Sequence, residues 1–165
     1  MSYYVIDTNV PIVANDKSEQ ADASCVITCI DVLTEIYRQG IVLLDDGLLI
    51  LQEYMRHLSM SGQPAAGDYF MKWLWNVQGD NRYCIQVHIT PSETDVNNFV
   101  EFPHDARLIT FDYSDRKFVA VALASLFMPM VLNAVDADWS EHFTALSEAG
   151  VNIRFLCPQH VCPRR

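Results

Sequence analysis

Five aspartates stand where apolar runs meet polar turns or helix starts. Asp7 follows YYVI, Asp45 and Asp46 follow IVLL, Asp115 precedes RKFVAVALA, and Asp136 follows VLNAV. A carboxylate at the end of a buried strand loses hydration and needs a cation or several N–H donors to offset that loss. One answer is helix capping. Asp45 and Asp46 read that way, because a helix pattern begins within one or two residues. Asp7 does not, since Thr8, Asn9, Val10 and Pro11 make no ordinary helix start. Asp115 opens a helix at once, and a capping carboxylate still has a second oxygen to offer. The other answer is a metal ion. Carboxylates converging with no His or Cys among them suit Mg²⁺ or Mn²⁺, which prefer oxygen ligands and keep several waters. Such a centre can activate water for in-line attack on a phosphodiester and stabilise the leaving oxygen.

These acids need a scaffold that gathers strand ends. Tyr3 to Ile6 is a first strand. Val26, Ile30, Leu33 and Tyr37 recur at helical spacing, and Gly40 closes that helix. Ile41 to Leu44 is an aliphatic run of the kind found in a buried parallel strand. A helix over Leu48 to Leu58 follows, with Leu48, Leu51, Met55 and Leu58 on one face. SGQPAAG breaks the chain, Phe70, Met71, Leu74 and Trp75 mark another helix, and Cys84 to Ile89 alternates as a strand. After a loop rich in Pro, Asp and aromatics, Phe118 to Phe127 carry an apolar helix. Val131 to Val135 is a strand, Trp139 to Ala149 a helix closed by Gly150, and Asn152 to Leu156 the last strand. This alternation predicts a three-layer α/β/α sandwich with a mostly parallel central sheet and helices on both faces. Ligands of such sheets bind at the carboxyl ends of the strands, where strand order reverses. The aspartates fall there.

The chain has 165 residues, 50% hydrophobic and 19% charged, which fits one domain with a real core and excludes wholesale disorder. The apolar runs are too short for a membrane span, and MSYYVIDTNV lacks the pattern of an export signal, so a cytoplasmic protein is expected. Its five cysteines are odd in number, which predicts buried thiols rather than a disulfide framework. The formal charge of −10 argues against a basic nucleic-acid coat protein but not against an enzyme that meets phosphate through cations.

The ordered motifs resemble a known family. YVIDTNV resembles the first motif of PIN-domain nucleases, DRKFVAVALAS the third, and NAVDADW with the following helix and GVNIRFL the closing segment. The resemblance covers most of the chain and implies a metal-dependent endonuclease. Carried onto this sequence, it implies that Asp7, Glu53, Asp115 and Asp136 bind one or two Mg²⁺ or Mn²⁺ ions. Asp138 would be an accessory ligand, and Thr8 or Asn9 would hold Asp7 or a metal-bound water. Glu35 rivals Glu53, and Asp112 rivals Asp115. The segment from Ser59 to Asp112 is longer than in compact members, and HDARLITFDYS has no counterpart.

RNA is the expected substrate. The chemistry does not need the 2′-hydroxyl, so a DNA-directed nuclease of a defence system is an alternative. Another is a catalytically idle binding module held by a regulatory, antitoxin-like protein, for which an acidic surface suits a basic partner. Small members that resemble this chain often pair, which makes a homodimer an option. Arg116 and Lys117 have two readings, as solvated side chains or as a phosphate grip at a helix start. Cys157, His160 and Cys162 form a partial zinc pattern that lacks a local fourth ligand and reads as an extended tail. Cys25 and Cys29, four apart on a helix, read as core thiols, and Trp73 and Trp75 as core aromatics rather than a base-stacking surface.

Overall fold

The computed structural model describes residues 1–161. Five parallel strands form one sheet: β1 (Ser2–Ile6), β2 (Gly40–Asp45), β3 (Cys84–Val87), β4 (Met130–Asn133) and β5 (Asn152–Phe155). Their order is β3-β2-β1-β4-β5, so the chain steps outward on one side of β1 and then returns to build the other. The helices are α1 (Asn9–Ala14), α2 (Ala23–Gln39), α3 (Leu49–His57), α4 (Ala66–Val77), α5 (Arg116–Ala124), α6 (Ala137–Glu141), α7 (Phe143–Glu148) and α8 (Pro158–Val161). Right-handed crossovers put the helices before and after this reversal on opposite faces, which gives the three-layer sandwich. α1, α2 and α4 pack together, α5 lies across β2, β1 and β4, and α3 touches both α4 and α5.

The aliphatic run predicted as a buried strand is one. Every residue of β2 is buried. Gly40 does not close α2 in a left-handed turn, however. Its backbone is extended and already begins β2. Its use is close approach, since a Cβ there would meet the Ile36 backbone at 3.0 Å and the Tyr4 ring at 3.1 Å. Gly150 does sit in the left-handed region, at φ 101°, as a residue between helix and strand needs.

Several expected boundaries shift for identifiable reasons. α3 buries Ile50, Leu51 and Tyr54 and turns Met55 outward, because Leu48 takes a left-handed conformation and stands outside the helix. Asp45 is buried and caps that helix, accepting from the N–H groups of Leu49 (2.8 Å) and Ile50 (2.9 Å). Asp46 caps nothing and pairs with His88 at 2.7 Å. α5 stops at Ala124, leaving Leu126 and Phe127 exposed. The helix expected from Trp139 to Ala149 is two short ones meeting at His142. The tail expected to be extended forms the single turn α8. Trp73 packs among Tyr37, Phe70 and Tyr83, whereas Trp75 is 42% exposed.

The expectation of free thiols fails at one pair. Cys25 and Cys157 form a disulfide with a Cα separation of 5.4 Å, while Cys29 and Cys84 are free and buried. The pair is 132 residues apart in the chain, so no local spacing signals it. Cys162 lies outside the described residues.

The long segment before α5 is fastened by one side chain. Arg116 is buried, and its guanidinium donates to the carbonyls of Leu108, Ile109 and Phe111 and to Asn98 Oδ1. It also lies over the rings of Tyr113 (3.9 Å) and Phe102 (4.3 Å). A buried cation that satisfies several carbonyls stabilises the loop, and its loss leaves those carbonyls unpaired. Arg116→Met is expected to destabilise the protein by about 2–3 kcal/mol in urea unfolding. Hydrogen exchange should quicken across 98–111 first, and uniform protection there would contradict the clasp.

Candidate functional site

The point of strand reversal lies between β1 and β4. Their ladder runs to the pair Ile6–Leu132 and continues one step, where the Asp7 N–H donates to the Leu132 carbonyl at 3.0 Å. Asp7 is therefore delivered directly by β1. β4 ends at Asn133, earlier than the expected Val135, so Asp136 arrives on a short turn. Asn9 shapes that turn. Its Oδ1 accepts from Ala134 (2.7 Å) and Val135 (3.3 Å), and its Nδ2 donates to Asn133 Oδ1 at 2.7 Å. Asn133 in turn donates to the Asp136 carbonyl at 2.8 Å.

Asp115 enters from the start of α5. It has the position of a helix cap, but its carboxylate makes no capping bond. Asp112 caps the preceding turn instead, accepting from the Ser114 N–H at 2.9 Å. Asp115 is free to turn inward. Asp7, Asp115 and Asp136 each offer an oxygen within 4.8 Å of the other two.

Electrostatics at this cluster are unfavourable. Asp7 is 3% exposed and has one donor per oxygen, the Asn9 N–H at 3.0 Å and the Trp139 indole N–H at 2.6 Å. Burial, with lesser repulsion from Asp136 and Glu53, still raises its pKa to about 7. Burial and then the charges of Asp7 and Asp136 push Asp115 far above the usual carboxylate range. Thr8 Oγ1 is buried nearby in sequence without a partner.

The other expected site residues are placed differently. Glu53 is close enough to raise the Asp7 pKa, but its Oε2 faces the Lys117 ammonium at 2.5 Å. Lys117 also donates to the Ser114 carbonyl and is buried. Arg116 is committed to the loop carbonyls. Arg116 and Lys117, read either as solvated side chains or as a phosphate grip, are both buried against internal partners. Asp138 binds the Asp112 N–H at 2.8 Å and His142 at 3.0 Å, outside the three-carboxylate group. Glu35 is exposed on α2. Asn9 acts on Asp7 through its backbone while its side chain latches β4.

Trp139 is the residue that sequence reasoning passed over. It is buried edge-on against Phe111 at 5.1 Å, with its one polar atom on Asp7. The signal was present, because a tryptophan in the first turn after a strand-end acid offers an N–H where a carboxylate stands. Beside Asp136 an open groove of about 950 Å³ is lined by Asn9, Ile12, Lys17, Ser18, Asp136 and His160. No protein-family model, curated protein or solved structure matches the chain.

The raised pKa values carry a sign. The folded chain holds protons on Asp7 and Asp115 that the unfolded chain has released above about 4. Stability therefore falls as pH rises from there through about 7, the folded value of Asp7. The metal-free protein is expected to melt at least about 4 °C lower at pH 8 than at pH 5.5. Asp7→Asn should flatten the profile. An equally steep profile in that variant would contradict the assignment.

Proposed function

We propose that the chain is a Mg²⁺- or Mn²⁺-dependent endonuclease, with RNA as its substrate, of the PIN-like kind that its motifs resemble. The observation that carries this reading is the convergence of Asp7, Asp115 and Asp136 at the strand-order reversal, the first two buried and the third half-buried, without a neutralising side chain of their own. The donor set is entirely carboxylate, which fits a hard divalent cation. Its raised proton affinity fits as well, because the cluster lacks the positive charge that would let all three ionise.

Asp7, Asp115 and Asp136 would hold the cation. When bound, it supplies a lowered pKa for attacking water and charge stabilisation for the leaving oxygen. The chain does the positioning. Trp139 and the Asn9 N–H fix the plane of the Asp7 carboxylate, one on each oxygen. Asn9 and Asn133 set the turn that carries Asp136. Lys117 holds Glu53 at the margin, which reduces the repulsion the three aspartates feel. The groove beside Asp136 carries Lys17, a cation placed to meet a phosphate of a strand lying there.

The Lys117–Glu53 pair also favours a second reading, in which the centre is idle until a partner rearranges it. Cleavage separates the two. Labelled single-stranded RNA should be cut in Mn²⁺, not in EDTA, with DNA cut less. Asp7→Asn, Asp115→Asn and Asp136→Asn should each lower the rate at least about 100-fold, and Glu53→Gln less. Undiminished cutting by Asp7→Asn would rule out this mechanism. Mn²⁺ binding with no cutting of any single strand would favour the idle reading.

A further inference from the structure

A second cluster of ligand-type atoms lies apart from the acids. Cys25 and Cys29 are four residues apart on α2 and so share one face of the helix. Cys157 follows β5 and meets that face. The three sulfurs lie within 4.8 Å of one another, and all three residues are buried. The disulfide uses Cys25 and Cys157 and leaves the Cys29 thiol beside it. A disulfide needs two cysteines. The third, on the same face and equally enclosed, has no part in it.

We propose that, once the disulfide is reduced, Cys25, Cys29 and Cys157 form a structural site for Zn²⁺ or a similarly soft divalent ion. Three converging thiolates select such an ion over Mg²⁺ or Mn²⁺. Two thiolates at about 2.3 Å from a tetrahedral Zn²⁺ stand about 3.8 Å apart. The Cα separation of 5.4 Å between Cys25 and Cys157 suits that spacing after side-chain rotation alone. Cys25 lies in the first turn of a 17-residue helix, where the dipole favours a thiolate. Burial pushes the Cys29 thiol up to about 12, so a proton stays on it until a metal displaces it. The three thiolates are the proposed ligand set, and His160 is the nearest imidazole in sequence. His160 stands three residues past Cys157, its ring now against Asp22 at 3.2 Å.

The two states interconvert with balanced chemistry. A thiol reductant gives two electrons and two protons to the Cys25–Cys157 bond and is itself oxidised to a disulfide. Binding of Zn²⁺ then releases the three thiol protons. In either state α8 is tied to α2, and His160 of α8 lines the groove beside Asp136.

The test uses the whole chain, reduced with a phosphine under argon and titrated with Co²⁺. One Co²⁺ per chain should produce a sulfur-to-cobalt charge-transfer band, which carboxylates cannot give, and Zn²⁺ should discharge it. The disulfide-bonded protein should show no such band. Cys29→Ser should lose at least about tenfold in affinity, since even removing a group that only orients a ligand costs that much. Cys84→Ser, a buried thiol elsewhere, should bind as the parent does. Cys157→Ser, on a different segment from Cys29, is a second variant should Cys29→Ser fold poorly, and it should lose as much. No band in the reduced parent, or parental affinity in both Cys29→Ser and Cys157→Ser, would overturn the proposal. Asp7→Asn should leave the band unchanged, so this outcome stands apart from the nuclease reading.

Discussion

The structure turns on the cost of burying Asp7 next to two other carboxylates. Two N–H donors reach it, one for each oxygen, yet burial still raises its pKa to about 7. Hydrogen bonds to a carboxylate offset part of its lost hydration, while repulsion from like charges works the other way. The remainder is met either by protons, which Asp7 and Asp115 retain, or by an external cation. A fold that needed Asp7 only for stability would place an apolar residue at the end of its central strand. The unfavourable charge is the observation on which the proposal of a cation site rests.

The surroundings are arranged to keep that charge in place. β1 is the central strand, and β4 returns beside it, so the reversal of strand order brings Asp7 and Asp136 to one edge. Asn9 sits between them and binds both sides, its N–H on Asp7 and its side chain on the β4 turn. Tyr54 reaches from α3 to the Ile6 carbonyl, just before Asp7. The two cations at the start of α5 serve this frame from within. Arg116 holds the loop that precedes Asp115, and Lys117 restrains Glu53. Arg116 and Lys117 are both buried, although the chain carries a formal charge of −10.

The strands were legible because their signals are local. The aliphatic run of β2 and the apolar ends of β1 and β4 identify themselves by composition, and so do the acids that follow them. The helix ends were harder. The left-handed Leu48 shifts α3 by a residue and reverses the exposure expected of Met55, which periodicity alone does not foresee. Contacts between distant segments were the least legible. Neither the Lys117–Glu53 pair nor the Cys25–Cys157 bond follows from spacing, since each depends on how crossovers place unrelated turns. The side-chain class of Asp115 hinted at both cap and ligand. In the structure its carboxylate makes no capping bond.

The central claim is that the three aspartates trade protons for a divalent cation. It is tested most directly by calorimetric titration of Mn²⁺ at pH 7.5 into the disulfide-bonded protein, in which the Cys25 and Cys157 sulfurs are bonded to each other. Running it in two buffers of different ionisation enthalpy counts the protons exchanged. The account predicts binding with net proton release, and both weaker binding and less release in Asp115→Asn. Absence of binding, or binding without proton release that Asp115→Asn leaves unchanged, would contradict it.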